Sequence, residues 1–271
     1  MKLAFQKLLS IFSIITVFVS CATVQKKSNV STNAKCEGCG LGCSDNGCFS
    51  IHKVEVNYYI SKEKELMNSF NETSKYISKV MEKDYDKLKI REIVNNSRNE
   101  FEKIIPQIPY IGGDSNSLTE DLIFPAIYLA YYRVLKKEGK DSHYMGELII
   151  NSVEIRFKPY PLWLRRAVGN KMFTRRSIEK TKENALQSQE MIWPGNWVTV
   201  YVEPTDDSFD IGWDNLECGI LKFFKDFDAE EIVPYFCQLD YVQAKGYDMI
   251  FFRKGTLANG NEKCDFRYKK K

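Results

Sequence analysis

The chain is predicted to fold as an α+β protein, with a helical N-terminal half followed by an antiparallel sheet of two hairpins flanking two helices. Two observations carry that expectation. Up to about residue 189 the apolar residues recur near the 3.6-residue helical period. Beyond it, short alternating runs are separated by Gly, Pro and Asp, as strands and turns are. A third observation sets the start of the folded part: the first fifty-odd residues read as a leader, a tether and a cysteine-rich loop, leaving residues 57–271 for the domain.

Residues 1–21 have the layout of an export signal. Lys2 and Lys7 give a positive start, and Leu8 to Val19 is an apolar run of h-region length, short for a bilayer span. Phe18-Val19-Ser20-Cys21 resembles a bacterial lipoprotein lipobox, with Phe18 where Leu is usual. On this reading Cys21 carries lipid, and the protein is anchored to the bacterial membrane outside the cytoplasm; an uncleaved anchor or plain secretion is the alternative. Residues 22–35 are polar and read as a flexible tether. Cys36, Cys39, Cys43 and Cys48 follow with C-x2-C-x3-C-x4-C spacing and Gly-rich connections. Four sulfurs so spaced suit two local disulfides after export, a zinc or iron–sulfur site, or free thiols. His52 is a further candidate ligand or a plain surface residue. The whole segment 22–56 is taken as tether plus Cys-rich loop.

From Ile60 to about Ile105 the pattern predicts a helix with Leu66, Phe70, Ile77, Val80 and Met81 inward, ended by Pro106 and Pro109. Ser117 and Glu120 have capping-box spacing for the next helix. It should place Leu122, Ala126, Leu129, Ala130 and Val134 on one face, bend at Pro125 and stop at Gly139. A helix over about 143–156 turns Leu148, Ile149 and Val153 inward. Residues 162–189 read as helical and basic, with Arg165, Arg166, Lys171, Arg175, Arg176, Lys180 and Lys182 forming a solvated face or an anion patch.

Trp197 to Glu203 and Ser208 to Trp213 read as a hairpin around the Pro204-Thr205-Asp206-Asp207 turn. Asp228 and Glu231 have capping-box spacing for a helix in which Cys237, Asp240 and Tyr241 share a face, with Pro234 tolerated early. Met249 to Arg253 and Cys264 to Lys269 form the second hairpin around a Gly-rich turn. Alternation turns Cys264, Phe266 and Tyr268 one way and Asp265, Arg267 and Lys269 the other. This geometry brings Cys264 toward Cys237 and Cys218.

Composition limits the function classes. The 271 residues carry a net charge of +3, which gives no basis for a nucleic-acid partner. With 2 histidines, a His-rich metal site or a Ser-His-Asp triad has little to draw on. The 8 cysteines fall in two groups, with none between Cys48 and Cys218.

Two separated blocks resemble one known family, the L-2-amino-thiazoline-4-carboxylic acid hydrolases. The first runs Ile108-Pro109-Tyr110-Ile111-Gly112-Gly113, Leu118-Thr119-Glu120-Asp121-Leu122-Ile123 and Leu129-Ala130-Tyr131-Tyr132-Arg133-Val134-Leu135. The second runs Cys237-Gln238-Leu239-Asp240-Tyr241, then Gly255-Thr256-Leu257-Ala258-Asn259-Gly260 and Cys264-Asp265-Phe266-Arg267. The resemblance implies a small-molecule substrate, a cyclic amidine whose thiazoline ring is opened by water to N-carbamoyl-L-cysteine. Residues able to serve that chemistry are Cys218, Cys237, Asp240, Cys264 and Asp265, with Arg253 or Arg267 clamping the substrate carboxylate. Cys237 or Cys264 would need a cationic neighbour to act as a thiolate nucleophile, and Asp240 would be general acid or base. The three thiols with Asp240 could instead hold a zinc ion. A different class stays open: an exported, membrane-tethered thiol-, metal- or ligand-binding protein without turnover, or a family member whose thiols are oxidised to disulfides.

Overall fold

A computed structural model describes residues 58–271. The leader, Cys21, the tether, the Cys36–Cys48 cluster and His52 lie outside the described residues. The expected α+β architecture is present. Six helices come first: α1 (Glu63–Met81), α2 (Lys87–Ile104), α3 (Thr119–Lys137), α4 (Ser142–Phe157), α5 (Leu162–Gly169) and α6 (Arg175–Ser188). Then follow β1 (Val198–Val202), β2 (Ile211–Glu217), α7 (Gly219–Lys225), α8 (Val233–Gly246), β3 (Met249–Phe252) and β4 (Cys264–Lys270). The two hairpins join through β2 and β4 into one antiparallel sheet of order β1-β2-β4-β3.

The central element is α3. Its apolar residues are buried on every side, not on the single stripe the sequence suggests, and buried Tyr128, Tyr131 and Tyr132 add to the expected Leu and Ala positions. It runs uninterrupted through Pro125. Its end is as expected: Gly139, at φ 80°, lets its own N–H reach Lys136 O and the Lys140 N–H reach Leu135 O, a Schellman pair. Around it, α2 packs on α3, α1 on α4, and α8 lies between α4 and β3, while α6 covers β1.

Several local expectations are corrected. The single helix over 60–105 is two, because Asp86 accepts from the Leu88 and Lys89 amides and starts a new helix after a break at residues 82–86. Periodicity missed the break because the buried stripe resumes on the far side with Ile90 and Ile93. The stretch 162–189 is likewise divided, with Thr174 capping α6. Neither helix with capping-box spacing starts at its expected cap. Helix α3 begins after Leu118, whose amide goes to Asn116 Oδ1. Asp228 sits at φ 50° ahead of α8, and Glu231 is taken by Tyr132 and Lys136. Pro234, however, does fall in the first turn of α8, where no amide is needed. Strand β2 extends past Trp213 to Glu217, since Asp214 is held by Lys263 and Arg267 and need not leave the sheet.

The seam between α4 and α8 is closely packed. Gly146 of α4 faces Tyr235 of α8 so closely that a Cβ there would lie 2.2 Å from the Tyr235 ring. Gly146→Ala gains about 1 kcal/mol of helix propensity but overpacks the α4–α8 seam, at a cost of about 1–3 kcal/mol or more. The expected result is a lower urea midpoint with an unchanged slope.

Candidate active site

Helices α3, α6, α7 and α8 meet the sheet around a cavity of about 120 Å³. For scale, a cavity on the order of 150 Å³ admits a benzene-sized molecule. The functional side chains come from four pieces of backbone. Turn spacing in α8 puts Cys237 and Asp240, three residues apart, on the cavity side. Arg253 follows the last residue of β3, Cys264 opens β4, and Cys218 joins β2 to α7. Alternation in β4 carries Phe266 and Tyr268 to the same wall as Cys264, where they stack with Trp213.

Arg253 is the organising charge. Its side chain is 4% exposed, and its Nη1 donates to Asp240 Oδ2 at 2.5 Å. Its Nη2 donates to the Cys237 carbonyl. The guanidinium also lies 5.1–5.4 Å from the ring centres of Phe266, Phe251 and Tyr241, close enough for cation–π attraction. Burial pushes the Asp240 carboxyl up to about 6, against the opposing pull of Arg253.

The thiols behave differently from what a nucleophile requires. Burial raises Cys218, drives Cys237 far above the ordinary thiol range, and pushes Cys264 up to about 11. Arg253 opposes this at Cys237 and Cys264, but burial outweighs it. Cys264 Sγ already accepts the Leu257 amide at 3.1 Å. All three cysteines are free. Peptide-resolved alkylation at pH 8 should therefore label Cys218, Cys237 and Cys264 at least about tenfold more slowly in the native protein than after unfolding, since only thiolate reacts.

The sequence-derived residues divide cleanly. Cys218, Cys237, Asp240, Arg253 and Cys264 surround the cavity. Asp265 and Arg267 are not among its walls. Asp265 Oδ1 instead accepts the Lys254 and Gly255 amides, each at 2.9 Å, and so fixes the turn between β3 and β4. Arg267 pairs with Asp214 at 2.8 Å and donates to the Trp213 carbonyl. No basic residue of α5 or α6 lines the cavity; Arg165 bonds the Gly246 carbonyl, Arg166 pairs with Asp248, Arg175 with Glu179 and Lys182 with Glu203. Among the described residues no three His, Cys, Asp or Glu side chains are placed to share a metal ion, so the zinc arrangement of the three thiols with Asp240 does not form.

Sequence reasoning overlooked Asp121. It lies in the first turn of α3, is 6% exposed, and lines the cavity. An acid at a helix start is ordinarily explained by the dipole. The available signal was its company, since Phe124, Pro125 and Tyr128, one and two turns on, are all apolar and buried.

A family model described as L-2-amino-thiazoline-4-carboxylic acid hydrolase matches residues 120–268. The chain belongs to that family. The match begins one residue before Asp121 and ends at Tyr268, so it spans every wall of the hydrolase-family cavity named above except where the chain has yet to enter α3. No curated protein and no solved structure matches the chain. No helix among the described residues of this hydrolase-family member is long and apolar enough to cross a membrane.

Proposed function

We propose that the cavity opens a small cyclic amidine of the L-2-amino-thiazoline-4-carboxylate kind by direct attack of water, with Asp240 as general base. The supporting observation is the Asp240–Arg253 pair: a carboxylate poised near neutrality beside a small cavity and held in one orientation by a guanidinium. In this reading the substrate enters with its amidine protonated; Asp240 takes one proton from water as the water oxygen bonds to the amidine carbon, and the second is lost to solvent as the carbonyl forms. The carbon–sulfur bond then breaks. The leaving sulfur recovers the proton from Asp240 as a thiol, and the nitrogen stays on the product as a carbamoyl group. Arg253 keeps Asp240 ionised and aimed, and its remaining N–H donors are available to the substrate carboxylate.

Water attack fits the site better than a covalent thiol route, because burial disfavours all three thiolates. Cys218, Cys237 and Cys264 then act as compact, weakly polar walls. Incubation of the full chain with L-2-amino-thiazoline-4-carboxylate should release one thiol and one N-carbamoyl-L-cysteine per ring opened, followed by a thiol reagent and mass spectrometry. Folded protein that binds the compound and never opens it would favour the tethered binding protein instead.

A further inference from the structure

Asp121 has a feature that the water-attack scheme leaves unused. Its Oδ1 is buried and has no hydrogen-bond partner, although the residue faces the cavity. A buried polar atom without a partner costs about 1–3 kcal/mol, and more when charged. Such atoms are rare in folded proteins, and a functional reason is a common explanation.

The charges around it sharpen the point. Asp240 is compensated by Arg253 at 2.5 Å. Burial holds the Asp121 carboxyl well above the usual carboxylate range, and the charged groups that act on it, Glu120 from its own helix and Asp240 from α8, are both acidic and add to this. The cavity walls include the aromatic side chains of Phe124, Phe236, Trp197 and Trp213. The cavity wall thus holds one acid with an open acceptor, acted on by acidic neighbours, and a second acid already matched by an arginine.

We infer that Asp121 is the anchor for a planar cation with two adjacent N–H donors, an amidinium or the closely related guanidinium and isothiouronium groups. A carboxylate accepts such a fork through two parallel hydrogen bonds, the geometry that makes arginine–carboxylate pairs specific. The ligand brings the missing positive charge and satisfies the open oxygen in the same step. Burial of Asp121 strengthens the pair, because charges interact more strongly away from bulk water. The inference deepens the hydrolase reading, on which it rests for the choice of ligand: the amidine end of the substrate would sit on Asp121, and its reacting carbon would point toward Asp240.

The test separates binding from turnover. Acetamidinium chloride has the fork and the charge but no ring to open. Acetamide has nearly the same shape and no charge. Calorimetric titration of the full chain at pH 7 should show saturable binding of acetamidinium and none of acetamide. Asp121→Asn should weaken acetamidinium at least about tenfold, the loss of a charged hydrogen-bonded pair. Equal binding of the two probes by the unaltered protein overturns the inference, whatever the variant does. So does unchanged acetamidinium affinity in a folded Asp121→Asn protein. Binding through Asp121 without ring opening would count against the hydrolase reading alone, and ring opening without Asp121-dependent binding would count against this inference alone.

Discussion

Asp240→Asn is expected to lower ring opening by about 10²–10⁴-fold, the usual worth of a positioned general base. The substitution keeps shape and one hydrogen-bond acceptor for Arg253, so the cavity should stay intact. What disappears is the ability to take a proton from water. Two effects on stability oppose each other. Burial favours the neutral form of this carboxyl, which an amide resembles, but the amide also leaves Arg253, whose side chain is 4% exposed, without its counter-charge. A variant that kept most of its turnover would remove Asp240 from the mechanism. The measurement is kcat from product release, alongside the melting temperature of the same sample.

The pH dependence follows from the same group. The Asp240 carboxyl titrates at about 6 in the folded chain, against 3.8 unfolded. A raised value means that the folded state holds a proton the unfolded state has already lost. The stability contributed by this group is therefore fully present below about pH 4, declines between pH 4 and 6, and is gone above that window. The difference amounts to about 3 kcal/mol at 1.36 kcal/mol per unit. Activity has the opposite sign, because the base works only when ionised. Turnover should rise with pH and reach half its plateau near pH 6.

Much of this site was legible because alternation and helical spacing act over a few residues. Phe266 and Tyr268 could be placed on the Cys264 side of β4 from the two-residue period alone, and Cys237 and Asp240 on one face of α8 from their separation. The sheet was legible as two hairpins for the same reason. What sequence could not supply was competition between partners far apart in the chain. Glu231 has the spacing of a capping residue, yet Tyr132 and Lys136 of α3 claim it. Arg267 and Arg253 look equivalent as clamps until Asp214 takes one and Asp240 the other. Tyr241 shares the turn of Cys237 and Asp240, but it lies at the rim with its ring against Phe251 and stays 45% exposed. The thiols looked like nucleophiles because cysteine chemistry depends on thiolate fraction, and that fraction is set by burial, which no local pattern reports.

Arg253→Met should cost about 3–5 kcal/mol of stability, the usual result of removing one partner from a buried ion pair. Three losses coincide: Asp240 is left without its cation, the Cys237 carbonyl loses a donor, and Tyr241, Phe251 and Phe266 lose the charge they surround. Methionine fills much of the volume, so the loss reflects charge more than a void. The acid limb of activity should move upward as well. Without the guanidinium, the force that holds Asp240 down to about 6 is gone, so half-maximal turnover should shift to higher pH. The double variant Arg253→Met/Asp240→Leu discriminates between a structural and a catalytic pair. Replacing both charges with apolar groups removes the uncompensated carboxylate, so the double variant should recover part of the stability lost by Arg253→Met alone. It should recover none of the turnover. If the single and double variants are equally unstable by urea denaturation, the cost lies in lost packing around Arg253, and the electrostatic account of this pair fails.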